Sequence, residues 1–155
     1  MTTDDPGTFD PHTFRHELRI EASPDLVFTY FTDPAKMARW MGIEHKLDPV
    51  PGGVFHVDVN SRDVAVGEYI EVDPPRRAVF TWGWQDNPHV PPGSTTVEVD
   101  LIPDGTGTIV RFAHHGLPGG PSDPHVRGWT HYLGRLEIAG RGGDPGRDSF
   151  LDEHA

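Results

Sequence analysis

The sequence predicts an α+β domain in the order β-αα-βββββ-α, a curved antiparallel sheet of six strands gripping one long C-terminal helix. Three observations carry this. Apolar and polar residues alternate in six separate runs, the period of a strand covered on one side. Val126, Trp129, Leu133 and Leu136 recur at helical spacing and give one long amphipathic stripe. Two cap signals, Ser23-Pro24 and Asp33-Pro34, stand directly after the first run, so two short helices interrupt an otherwise continuous meander.

Along the chain, residues 1–11 are polar with scattered Asp, Gly and Pro, and are expected to fray. Residues 12–21 set Phe14, His16, Leu18 and Ile20 against Arg15, Glu17, Arg19 and Glu21, a half-buried strand. Val27, Phe28, Tyr30 and Phe31 give the first short helix an apolar side, and Met37, Trp40 and Met41 do the same for the second. Residues 49–53 form a turn. The strand that follows places Phe55, Val57 and Val59 on one face and His56 and Asp58 on the other. After the turn at 60–63 comes the pair of runs 68–72 and 78–84, joined by Asp73-Pro74-Pro75-Arg76-Arg77, where two prolines end a ladder. Phe80, Trp82 and Trp84 share one face of the second run and need a partner to cover them.

Residues 86–93 hold three prolines without periodicity and read as a loop. Thr95, Val97, Val99 and Leu101 then alternate with polar residues. Asp104-Gly105 turns the chain, and Val110, Phe112 and His114 form one side of the last strand. A Gly/Pro break leads to Ser122 or Asp123 as cap of the long helix, which Gly140, Gly142 and Gly143 end. Gly128 and Gly134 lie inside it, each at a cost of roughly 1 kcal/mol against Ala unless the helix needs close approach there. Residues 12–142 are therefore expected as one domain and 143–155 as a loose tail.

A chain of 155 residues with net charge −11 has no electrostatic footprint for nucleic acid or for an anionic membrane surface. No apolar run reaches the ~18 residues of a membrane span, and no secretory h-region opens the chain, so a cytoplasmic location is expected. With no cysteine, disulfides and thiol chemistry are excluded.

GEYIEVDPPRRAVFTW, MARWMG, FAHHGLP and RGWTHYLGRL together resemble the HSP-90 ATPase activator homologue-like family, part of the START-like, helix-grip (SRPBCC) superfamily. The likeness runs from about residue 14 to 140. It implies a hydrophobic cavity between sheet and C-terminal helix. By position its walls would be Trp40, Phe55, Phe80, Trp82, Val99, Val110, Phe112, His114, Trp129 and Leu133. For a binding module, His114 and either Glu68 or Tyr132 are the polar groups expected to orient a ligand. The chaperone activators carry an additional N-terminal domain. About a dozen residues precede the first strand here, which counts against a chaperone role.

For chemistry, His114 and Glu68 are the candidates. Neighbouring residues on a strand point to opposite faces, so His114 and His115 cannot chelate one ion, and no spacing matches a zinc site; no metal and no cofactor are expected. His114 shares the inward side with Val110 and Phe112, and a neutral, hydrogen-bonded core histidine is favoured over a proton-transferring one. His56 and Asp58 read as solvent-facing. Glu68 shares parity with Val64, Val66, Ile70 and Val72: facing inward it would carry a raised pKa, facing outward it is trivial, and both stay open. No nucleophile elbow, P-loop or dinucleotide fingerprint is present. Three functions follow in order: binding of a small lipophilic or aromatic molecule, with no nucleic acid or membrane partner; a cyclase- or hydratase-like enzyme using cavity acids and bases; and a stress-related interaction protein, either a chaperone auxiliary or a homodimer.

Overall fold

The computed structural model describes residues 10–153. The elements are β1 (Thr13–Ile20), α1 (Pro24–Thr29), α2 (Pro34–Met37), β2 (Glu44–Leu47), β3 (Val54–Asp58), β4 (Val64–Asp73), β5 (Arg77–Trp82), β6 (Thr95–Asp104), β7 (Gly107–His115) and α3 (Pro124–Gly140), with short 3₁₀ turns at Gly120–Ser122 and Ser149–Asp152. All strands lie in one sheet, ordered β1-β7-β6-β5-β4-β3-β2 with antiparallel neighbours. The sheet has seven strands, not six. The additional one, β2, has four residues, two of them the poor strand formers Glu44 and Lys46, and takes its conformation from pairing with β3 at the sheet edge.

The α1–α2 segment carries the chain from β1 at one edge to β2 at the other. Both caps form as the sequence indicates: Ser23 Oγ accepts from the Leu26 N–H, and the Asp33 carboxylate from the Ala35 N–H. These helices close the end of the molecule where α3 finishes. Tyr30 donates its hydroxyl hydrogen to the Ala139 carbonyl at 3.1 Å, Trp40 Nε1 donates to the Tyr30 carbonyl at 2.9 Å, and Arg135 Nε to the Trp40 carbonyl at 3.1 Å.

The concave face is filled with rings. Phe55 stacks on Phe80 at 4.2 Å, and Tyr69 stands edge-on to both at 5.7 and 5.9 Å. Such pairs add about 0.5–1.5 kcal/mol each beyond the area they bury. Glu68 lies on the other side: Ala65 and Tyr69 are the buried members of β4, while Glu68 and Ile70 are exposed. The parity that aligns Glu68 with four apolar residues is the outer row, because small Ala65 and Gly67 leave room beneath the sheet for Tyr69. A Cβ at Gly67 would meet the Thr81 carbonyl oxygen at 1.9 Å, so this glycine lets β4 pass close to β5 just ahead of the register shift between Tyr69 and Glu71. On the convex face Arg77 is held by Glu71, Glu98 and Asp100 at 2.7–3.0 Å.

Residues 144–152, within the segment expected as a loose tail, make contacts with α3. Asp148 caps the last 3₁₀ turn and fastens it to α3, accepting from the Tyr132 hydroxyl and bonding His131 Nε2, each at 2.7 Å. Phe150 stacks on His131 at 3.6 Å, and Arg127 grips the Glu153 carboxylate at 2.7 and 3.1 Å. Of the fastening groups on α3, Arg127 and His131 stand off the apolar stripe, while Tyr132 is buried and offers its hydroxyl. Residues 1–9 and 154–155 of the two expected flexible ends lie outside the described residues. Among the described residues no helix is long and apolar enough to cross a membrane.

Candidate functional site

The molecule stays open beside the start of α3. A cleft of about 790 Å³ lies there between the N-terminal half of α3, the β3–β4 turn, the 85–93 loop and the Phe150 segment. Its apolar wall is built by Trp82, Trp84 and Trp129: Trp82 lies 5.1 Å from Trp129 and 5.2 Å from Trp84. Gly83 makes this wall possible, because a Cβ there would fall 1.8 Å from the Pro91 carbonyl oxygen. The loop can thus fold back onto the strand, where the Trp84 N–H donates to the Val90 carbonyl at 2.7 Å.

The rim of α3 is set by its cap. Asp123 accepts from the His125 N–H through Oδ1 and from the Gly119 N–H through Oδ2, both at 2.9 Å, and Pro124 fills the position that needs no donor. This places the His125 ring against the same carboxylate, with Nδ1 to Oδ1 at 2.6 Å. Burial would raise the Asp123 pKa, but the hydrogen bonds from His125 and Gly119 outweigh it and hold the carboxyl below its ordinary value. A carboxylate only accepts, so Nδ1 carries the hydrogen. Trp82 Nε1 only donates, and it points at His125 Nε2 across 3.3 Å, leaving Nε2 as acceptor. The ring stacks on Trp84 at 5.3 Å.

His114 faces His125 at 5.1 Å in the opposite tautomer. Trp129 Nε1 donates to His114 Nδ1 at 2.8 Å, so the hydrogen sits on Nε2 and bonds Thr95 Oγ1 at 2.7 Å, while the Thr95 hydroxyl donates to the Trp82 carbonyl at 2.6 Å. The chain is complete and His114 is 0% exposed. Burial first, then proximity to His125, lower its pKa to about 3. His114 is thus a neutral, saturated core residue with no lone pair left for a guest. Its neighbour His115 looks outward to Glu98 at 2.5 Å.

Of the residues placed on cavity walls by resemblance, Trp82 and Trp129 line the cleft, as does Tyr132, expected as an orienting polar group. Phe55, Phe80, Val99, Val110, Phe112 and Leu133 are packed into the core, and Trp40 borders a smaller pocket of about 350 Å³ beside Arg135 and Asp148. Glu68, exposed on the outer face, is far from the role of buried acid. Tyr132 commits its hydroxyl to Asp148, and burial with that neighbour pushes its pKa up. Trp84, Asp123, His125 and Phe150 belong to the site and were missed. The signal for two of them was Asp123-Pro124-His125: a cap carboxylate two residues ahead of a histidine can serve both its backbone and its ring. Among the described residues no three His, Asp or Glu side chains come together as metal ligands.

The family model described as Activator of Hsp90 ATPase homolog 1-like protein matches residues 21–139. Among solved structures, an AHSA1-like protein from Rhizobium etli is 42% identical over 89% of this chain and 87% of that one, with a TM-score of 0.66. DynU16, from the dynemicin biosynthetic locus, is 25% identical over 88% of this chain and 49% of that one, with a TM-score of 0.71. The Aha1 dimer from Colwellia psychrerythraea, at 19% identity, TM-score 0.72 and coverages of 84% and 97%, shares the fold. No curated protein matches the chain.

Proposed function

We propose that this chain, which belongs to the Activator of Hsp90 ATPase homolog 1-like family, binds a small lipophilic or aromatic molecule in the cleft beside α3. One observation carries the proposal: a space of about 790 Å³, within the range of ligand pockets, is walled by the faces of Trp82, Trp84 and Trp129. Trp84, the half-buried indole of the three, and the rims of the buried Trp82 and Trp129 gain about 25 cal/mol for each Å² that a guest covers. Phe55, Tyr69, Phe80, Phe112 and Leu133 pack the sheet–helix interior, which supports the cleft beside the start of α3 as the guest site. That a structural relative comes from a biosynthetic locus accords with a small organic guest.

The test is a titration of the full chain with naphthalene-type aromatics and with fatty acids, followed by tryptophan emission and by native mass spectrometry. Saturable change of the emission and a one-to-one adduct are expected with the aromatic series. If no compound gives either signal, the proposal fails.

A further inference from the structure

Resting on that proposal, we infer that Trp82 and His125 together read a hydroxyl on the guest, so that the cleft selects phenols among aromatic molecules. Trp82 Nε1 can only donate. His125 Nε2 can only accept, because Asp123 holds the ring hydrogen on Nδ1 at 2.6 Å. Both residues line the cleft, and the bond between them, at 3.3 Å, is long for a hydrogen bond. A hydroxyl that takes the place of this bond as the two rings part answers both at once: its oxygen accepts from Trp82 and its hydrogen goes to His125. One long bond is replaced by two ordinary ones.

Other groups do not match this pair. An ether or ketone oxygen takes the indole hydrogen but leaves the imidazole lone pair unanswered, the costly case for a buried group. A carboxylate has no hydrogen to give and would bring its charge toward the Asp123 carboxylate. A phenol is favoured over an aliphatic alcohol because its ring lies against Trp84 and Trp129, and because it is the stronger donor. The Asp123 carboxylate on Nδ1–H in turn strengthens Nε2 as the acceptor. Next door, His114 shows what a closed site looks like, with both nitrogens bonded at 2.7–2.8 Å and no exposure. His125, 9% exposed at the wall, is the one of the two that a guest meets.

The experiment compares a naphthol with its methyl ether by calorimetric titration of the full chain. The naphthol should bind about tenfold more tightly, a factor of ~1.4 kcal/mol and the size of one well-made hydrogen bond. In His125→Phe the ratio of the two affinities should fall to within about twofold of one, since the acceptor is gone. Nitrogen NMR of the unaltered protein supplies a readout that needs no variant: the naphthol, and not the ether, should shift the Nε2 resonance of His125. Equal binding of naphthol and ether by the unaltered protein, or an unmoved Nε2 resonance, overturns the hydroxyl inference and leaves the aromatic cleft standing. Failure of both compounds to bind overturns the two together.

Discussion

Acidification should destabilise this protein through His114 well before its carboxylates are protonated. In the folded chain burial, followed by proximity to His125, keeps that ring neutral down to about pH 3, from an ordinary value of 6.5. In the unfolded chain it takes up a proton as the pH falls through its ordinary value. Between those limits the unfolded molecule binds one proton more than the folded one, so stability is full above the upper limit and falls by ~1.4 kcal/mol per pH unit below it. From about pH 7 to about pH 5 the loss from this residue is about 2 kcal/mol. With a urea dependence of about 2 kcal/mol per molar for a chain of this size, the unfolding midpoint moves down by about 1 M. His114→Gln keeps an amide to meet Trp129 and Thr95 but cannot titrate. Its own midpoint will be lower, yet the change between the two pH values should be smaller by about 2 kcal/mol than in the unaltered protein. The same pH dependence in both proteins would refute the assignment of His114 as a buried neutral ring.

Two further outcomes follow from the packing. A Cβ at Gly134 of α3 meets nothing within 4 Å, so Gly134→Ala should raise stability by about 0.5–1 kcal/mol in a urea melt; a loss would show that the helix needs this glycine. Asp148→Ala strips partners from Tyr132 and His131, and should cost about 1–3 kcal/mol. Its amide exchange should rise first in residues 144–152, and uniform acceleration across the sheet would count against a local fastening.

The strand and helix pattern was legible because alternation and stripe each need only one covered face. β1, β3 to β7 and α3 appear where Phe14–Ile20, Phe55–Val59, Phe80–Trp82 and Trp129–Leu136 place them. β2 was not legible, since its backbone bonds come from β3 and its side chains carry no pattern of their own. Glu68 shows the limit of parity: an apolar row at positions 64, 66, 70 and 72 marks a strand but not which side is covered, and that was settled by the small residues Ala65 and Gly67. The site was harder still. His114 stood out as a histidine among apolar residues, and that setting is what saturates and silences it. His125 lies off the helix stripe, and its partner Trp82 stands 43 residues away along the chain. Side-chain pairings over such separations leave no periodic trace.

The Phe150 segment is both a wall of the cleft and a clasp on α3, so the proposed guest and the 148–153 segment would hold each other. Phe150 and Glu153 border the same space as the tryptophans, while Asp148 and Arg127 keep them in place. Under the proposed function, occupancy and clasping would be linked in free energy: a molecule packed against Phe150 would favour the fastened segment, and Asp148→Ala would weaken both.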